Sequence, residues 1–455
     1  MSTRSHHPPA TNSPRQEELA AFPARAGRPR SSHTKKILIQ AINFAPELIG
    51  CAKYTTQLAL YLEAQGHIVE VVTTPPHYPG WFVRAPYRRD AYRREMLGAI
   101  RLTRCPMIVK KGASGTWRLI APLSFAATSA PIVAWRILRL RPDVVLCVEP
   151  TLLSAPIALL AGQCVGARCI LHVQDLEVDA AFELGHIRGG ALRSIGKALE
   201  TRLLRGFTRI IAISHKMRDA LLAKGLTSEQ VVVLRNWVDL EAITPRPRSA
   251  PNAFRTQLGF SRADFVILYA GHIGVKQSLD ILLKAARRLV EHRSIRFVVA
   301  GEGPALADLT ERFSDLTNLA FLPLQTTERF SELLAMADLH VLPQHPSAAD
   351  LVLPSKLGGM LASGRPIIAT AASGTELANL LTDIALLSPP GDDDALAQSI
   401  LEARSRDLSA EVARGLALAE KLSATRILPA FERLLFDEGA EGVANANYAT
   451  LEAEH

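Results

Sequence analysis

The chain has 455 residues, 48% hydrophobic and 21% charged; this excludes a mostly disordered protein and is too long for one core, so two domains plus tails are expected. A formal charge of +8 and a pI near 9.3 accompany only 6% aromatic residues. The basic residues gather in the N-terminal tail and between Arg84 and Arg141, which suits an anionic membrane face or a phosphorylated substrate better than a nucleic acid. Five cysteines (Cys51, Cys105, Cys147, Cys164 and Cys169) show no CxxC and no zinc-type spacing, as fits a reducing cytoplasm.

Residues 1–34 hold Pro, Ser, Arg and His without an apolar run, which predicts a disordered basic tail and no secretory signal. Lys35–Gln40 reads as a buried parallel strand, Asn43–Gly50 as a loop, and Lys53–Gln65 as an amphipathic helix stopped by Gly66. Ile68–Thr73 then completes a βαβ unit. Leu119–Trp135 (LIAPLSFAATSAPIVAW) carries no charge; it is slightly short for a membrane span of about 20 residues and contains two prolines, so a buried or membrane-dipping helix is expected. Further strands are expected at Val144–Val148, Cys169–Val173, Arg209–Ile213 and Gln230–Leu234, with Ser214 capping a helix that runs to Lys224.

From Asn236 to Pro251 the chain carries Pro and Arg without periodicity, and a linker is placed at residues 241–254. The second half repeats the first. Strands are expected at Phe265–Ala270, Ile295–Ala300, Asn318–Phe321, Asp338–Leu342, Ile367–Thr370 and Ile384–Leu387, with a helix from Ser278 to His292. The alternation predicts an α/β protein with two Rossmann-like, doubly wound parallel sheets, residues 35–240 and 255–424. A last helix at 425–437 crosses back to the first domain, and 438–455 forms a disordered acidic tail.

In open α/β sheets ligands bind beyond the carboxyl ends of the strands, so the loops there hold the candidate residues. Gly50 stands alone where a dinucleotide fold wants a glycine cluster; this counts against NAD or FAD, and Gly50 either admits a phosphate or only serves the turn. The stretch Ala349–Thr370 is the most telling. Ser355 is placed to cap a helix, which puts Lys356 beside free N–H groups, a poor position for a cation unless an anion such as a diphosphate completes the site.

The order of segments ILIQAINFAPELIGCAKYTTQLALYLEAQGHIVEVVTTPPHYPGW, CILHVQDLEVDAAFELG, ILYAGHIGVKQSLD, VVAGEGP and AADLVLPSKLGGMLASG resembles the family 4 retaining glycosyltransferases of GT-B fold, in particular the colanic-acid-type group of exopolysaccharide assembly. The match runs from Lys36 to about Phe436. The resemblance implies a nucleoside diphosphate sugar donor in the C-terminal domain and a polyprenyl-diphosphate-linked glycan acceptor in the N-terminal one. It also implies no metal or other cofactor, and a cytoplasmic location, peripheral on the inner face of the cytoplasmic membrane. Retention places attack on the face of the leaving group, whose phosphate takes the acceptor's proton.

Carried onto this sequence, the resemblance puts the diphosphate on Lys356 with Ser355, and on Lys276 or its rival Gln277. His272 stands where relatives often have Arg, and Gly301 and Glu302 line the base pocket. Glu376 either touches the donor or closes a capping box with Ser373. His172 contacts the transferred sugar, and Asp175 orients that imidazole or binds acceptor hydroxyls. Glu47, Tyr54, His77, Tyr78 and Trp81 belong to the acceptor half. The family's E-x7-E pair is missing: its positions fall on Leu351 and Gly359, and Asp350 is the candidate replacement for the first carboxylate.

Trp81, Phe82, Tyr87 and Tyr92 interleave with Arg84, Arg88, Arg89, Arg93 and Arg94, as at a surface that meets lipid head groups, or as an ordinary solvated charge run. Two alternatives remain: an inactive or regulatory paralogue, suggested by the missing Glu pair, and a sugar-nucleotide epimerase of the same architecture.

Overall fold

The computed structural model describes residues 33–47, 50–78, 80–83, 85–110, 117–150, 152–175, 190–274, 277–346 and 354–436. The first half contains β1 (Lys36–Ala41), α1 (Cys51–Ala64), β2 (Ile68–Thr73), β3 (Arg93–Leu97), β4 (Ile100–Arg104), α2 (Trp117–Leu140), β5 (Val144–Glu149), α3 (Ala155–Cys164), β6 (Arg168–Val173), α4 (Gly190–Leu204), β7 (Arg209–Ala212), α5 (His215–Ala223) and β8 (Val231–Val233). Its eight strands lie in the order β3-β4-β2-β1-β5-β6-β7-β8. β1, β2, β5 and β6 are almost continuous runs of Ile, Val and Leu because helices cover both faces of the sheet.

The second half contains α6 (Ala253–Gln257), β9 (Phe265–Ala270), α7 (Leu279–Arg288), β10 (Ile295–Ala300), α8 (Leu306–Arg312), β11 (Leu319–Leu322), α9 (Thr327–Ala335), β12 (Leu339–Leu342), α10 (Leu357–Ala362), β13 (Ile367–Thr370), α11 (Glu376–Leu380), β14 (Leu386–Ser388), α12 (Asp393–Ser405), α13 (Ser409–Lys421) and α14 (Ala424–Phe436). The order β11-β10-β9-β12-β13-β14 is the doubly wound arrangement, with its switch point between β9 and β12. In such sheets the loops after the two strands at the switch point part and leave a crevice at their carboxyl ends.

Each sheet is covered on both faces by a separate apolar cluster. α14 leaves the second half and buries Ile427, Leu428, Phe431, Leu434 and Leu435 against β1, β2, α1 and Trp237 of the first. At about 1.5–3 kcal/mol per buried side chain this helix is a firm strap between the halves. A short bridge from Val238 to Ser423 lies where the two crossings meet.

Two expectations need correction. The N-terminal sheet is not wholly parallel: β3 pairs antiparallel with β4, across a two-residue turn in which Gly98 has φ 59°. Arg93–Leu97 is largely exposed, so it lacks the apolar alternation that betrays a strand. The helix expected from Ser278 to His292 is shorter, Leu279–Arg288. By length and composition Ile120–Leu140 is long and apolar enough to cross a membrane, and 33% of its apolar window is buried in the protein. α2 turns Phe125, Val133 and Ile137 inward and leaves Leu123, Trp135 and Leu138 exposed.

Candidate active site

Lys356 follows the β12 loop and reaches back to the end of β9. Its Nζ donates to the Tyr269 hydroxyl at 2.6 Å and lies 4.2 Å from the centre of that ring. The hydroxyl in turn donates to the carbonyl of His272. Although the residue as a whole is only half-buried, loss of water around the ammonium end pushes its pKa down to about 7. Among the described residues no carboxylate pairs with it. An ammonium held this way by one neutral hydroxyl is a receptor for an anion.

The backbone of Gly271 packs against that ammonium: a Cβ there would lie 3.4 Å from Nζ, and the φ of 150° is one that side chains rarely adopt. A Cβ on Gly301 (φ 151°) would come within 1.8 Å of the Gly271 carbonyl oxygen, which means that the loops after β9 and β10 touch backbone to backbone. The Glu302 carbonyl accepts from Ile273 N at 2.9 Å and completes the contact. His272 is held neutral: burial first, then the Lys356 charge, push its pKa down to about 4. The Ser355 side chain is exposed and caps nothing; α10 starts one residue later than expected, with Lys356 in the cap position and no side-chain cap bond. What Ser355 offers is its carbonyl, which accepts from Tyr54 Oη of the other half at 3.1 Å.

The facing wall comes from β1, β2 and β6. Gly50 (φ 65°, ψ −149°) starts α1 with a backbone that a side chain strains. Glu47 is not a free ligand. Its Oε1 accepts from the backbone N–H of His77 and of Tyr78, both at 2.7 Å, while Oε2 accepts from Asn43 at 2.8 Å, so it ties the loops after β1 and β2 together. His77 is buried and stacks edge-on with Trp81 at 5.7 Å. The Tyr78 ring lies 5.7 Å from His272 across the gap between the halves, and burial, ahead of nearby Cys51, Glu47 and Asp175, pushes its pKa up to about 12.

His172 ends β6 at 1% exposure and packs edge-on against Phe431 of α14 at 5.0 Å. Burial pushes its pKa down to about 3, so the ring is neutral. Gln174 Nε2 meets His172 Nε2 at 3.0 Å, and Gln174 and Asn236 exchange two amide bonds of 2.9 Å. This leaves Nδ1 without a hydrogen-bond partner among the described residues.

Residues 50–237 match the glycosyl transferase 4-like domain, and residues 264–405 match the glycosyl transferases group 1. WcaI of Escherichia coli (strain K12), a glycosyl transferase provisionally assigned to colanic acid biosynthesis, is 38% identical over 377 residues, covering 81% of this chain and 92% of WcaI. The chain belongs to the GT-B glycosyltransferases. In fold it is similar to Anabaena HepE, solved with UDP and glucose (TM-score 0.64, 16% identity, covering 88% of this chain and 99% of HepE). It is also similar to the sucrose-phosphate synthase of Thermosynechococcus elongatus (TM-score 0.65, 15% identity, covering 92% and 100%).

In this glycosyltransferase Lys356, Gly271 and Gly301 meet at the end of β9 with His272 beside them, and Tyr78, packed near Gly50, faces His272 from the other half, while His172 lies buried against Phe431 and Gln174. Lys276 and Asp350 lie outside the described residues, and Gln277 begins the turn before α7. Asp175 makes no hydrogen bond to the His172 ring; Gln174 holds that position. Sequence pattern does not mark Gln174, because an amide between His172 and Asp175 carries no chemical signature of its own, nor Tyr269, because an aromatic in an apolar strand reads as core. Glu376 does not close a capping box with Ser373. Thr375 Oγ1 caps α11 through Ala378 N, and the Glu376 carboxylate crosses to the other half. At Gly359, where the family's second Glu would stand, a Cβ would meet Leu334, Ile243 and Phe330 at 3.4–3.5 Å. A carboxylate there would point into apolar core, so the missing ribose ligand has no place at this position.

Proposed function

We propose that this glycosyltransferase moves a sugar, with retention, from a nucleoside diphosphate sugar to a lipid-linked glycan acceptor in surface-polysaccharide assembly, and that it needs no metal. The observation that carries the donor assignment is Lys356, an enclosed ammonium with no carboxylate partner among the described residues, beside two loops whose backbones touch at Gly271 and Gly301. With the diphosphate bound, its ammonium supplies positive charge where the diphosphate leaves, the kind of electrostatic stabilisation that dominates such transfers. HepE, solved with UDP and glucose, supports a sugar nucleotide as donor, and WcaI supports exopolysaccharide as the product class.

The chemistry balances without a strong protein base. The bond from the anomeric carbon to the diphosphate oxygen breaks, the acceptor oxygen bonds to that carbon on the same face, and the acceptor's proton passes to the departing phosphate. His172, with its pKa near 3, is too weak a base to take that proton at neutral pH; its Nδ1, buried and unpartnered among the described residues, suits a hydrogen bond to a sugar hydroxyl that reaches it. For the acceptor's lipid, α2 offers exposed Leu123, Trp135 and Leu138, with Arg136 and Arg139 over the Trp135 ring at 5.0 and 5.8 Å. The neighbouring basic loop is partly self-paired, since Arg88 binds Asp90 while Arg93 and Arg104 share Glu95 and flank Tyr87. Its remaining exposed arginines, Arg89 and Arg94, fit a peripheral position on the inner membrane face.

A thermal-shift panel of UDP, GDP, ADP and their sugar conjugates in EDTA tests the donor reading. A selective rise in melting temperature with one nucleotide is expected, because a ligand that binds only the folded state stabilises it. No rise with any of them would overturn it in favour of an inactive paralogue. Turnover of the responding donor without acceptor, at unchanged mass, would mark an epimerase.

A further inference from the structure

The Glu376 carboxylate belongs to the donor half but spends its oxygens on the acceptor half. Oε1 accepts from His215 N at 3.0 Å and Oε2 from Lys216 N at 2.8 Å, the first two amides of α5. Ser214 Oγ accepts from the third, Met217 N, at 3.1 Å. Arg235, just after β8, places Nη2 3.3 Å from Oε1. Glu376 is itself the first residue of α11, so the N-terminal ends of two helices from different halves meet on one buried carboxylate. Each end favours negative charge, and charge-assisted bonds to backbone amides are among the stronger polar contacts.

Among the described residues, apolar packing straps the two halves on the side of α14 and the Val238–Ser423 bridge. Across the gap itself the other contacts described are the Tyr54–Ser355 hydrogen bond and the Tyr78–His272 rings. A donor held between Lys356 and His172 must enter and leave through that gap. Apolar packing on one side and a breakable polar clasp on another make a hinge and a latch.

We infer that Glu376 is a positioning residue of the transfer: clasped to the start of α5, it fixes the angle between the two halves and hence the distance from the diphosphate on Lys356 to the sugar-facing residues around His172. The inference rests on the proposed transfer, but the clasp can be read without turnover. Its effect falls on rate rather than on donor binding, because misplacing reacting groups by about 1 Å costs roughly 100-fold in rate.

Two variants test it. Glu376→Ala removes the carboxylate. His215→Pro removes one of its donors and keeps Glu376; proline suits the first position of a helix, and Ser214 already has the extended backbone (φ −151°, ψ 158°) that a following proline requires. Both are expected to lower kcat by roughly 10- to 100-fold with donor Kd within about twofold. Hydrogen exchange at Lys216 N should rise in both, and small-angle scattering should show a larger radius of gyration. A raised donor Kd in Glu376→Ala with unchanged exchange at α5 would make Glu376 a donor ligand and overturn the inference. Unchanged exchange and radius in both variants would overturn it as well. If the wild-type protein binds no nucleotide, the proposed function fails while exchange and scattering still report on the clasp.

Discussion

Raising the pH from 7 to 9 should weaken sugar-nucleotide binding by about 50-fold, and Lys356 should be the reason. The ammonium titrates near 7 in the ligand-free protein, so half the molecules carry the charge at pH 7 and about one in a hundred at pH 9. A bound diphosphate draws the proton back on, so binding above pH 7 takes up a proton and loses about tenfold in affinity per pH unit. The neighbours do not confuse the reading. His272 is already neutral, with its pKa near 4, and burial pushes the Tyr269 hydroxyl well above its usual range. A sugar nucleotide has no diphosphate proton to lose in this window. The assay is calorimetric titration of the responding donor at pH 7, 8 and 9 for wild type, Lys356→Met and Lys356→Arg. The Met variant should bind weakly at every pH, and the Arg variant should show no slope, since guanidinium stays charged. A flat wild-type profile, or an equal slope in Lys356→Met, would refute the reasoning. The same shift acts on folding with a definite sign. The folded pKa lies below the unfolded one, so between pH 7 and the ordinary lysine range the unfolded chain holds more protons and ligand-free stability rises with pH. At pH 7 and below, Lys356→Met should therefore melt higher than wild type without ligand, a stability the native site gives up for its anion.

Gly301→Ala should destabilise by about 3 kcal/mol or more, because its Cβ would sit 1.8 Å from the Gly271 carbonyl oxygen and the two donor loops must part; urea denaturation measures this, and an unchanged midpoint would contradict the backbone contact. Phe431→Ala should cost about 3–5 kcal/mol, since the ring is 1% exposed and packs on both His172 and Trp237. The same denaturation experiment tests it, and a loss below about 1 kcal/mol would mean that α14 is a weak strap.

By itself the sequence determined the strands and their order of appearance. β2, β9, β10 and β13 begin and end where apolar runs and flanking glycines placed them, because buried parallel strands must be continuously apolar and bounded by turns. It also singled out Lys356 as a candidate, since a cation at that loop end adds little stability without an anion, and the fold places its ammonium on the Tyr269 hydroxyl. Exposed and paired features escaped it. β3 is charged and largely exposed, so no apolar alternation marks it, and β4 offers only the brief alternation of Ile100 and Leu102. Glu47 and Glu376 each read as a ligand, yet a carboxylate's partners come from distant segments: backbone amides at His77 and Tyr78 for one, and at His215 and Lys216 for the other. Gln174 and Tyr269 became site residues only when folding brought the His172 ring and the Lys356 ammonium against them. Local pattern is written in neighbouring side chains. Which polar atom finds which partner is decided by burial, which forces every donor and acceptor to be satisfied by whatever the tertiary fold brings near.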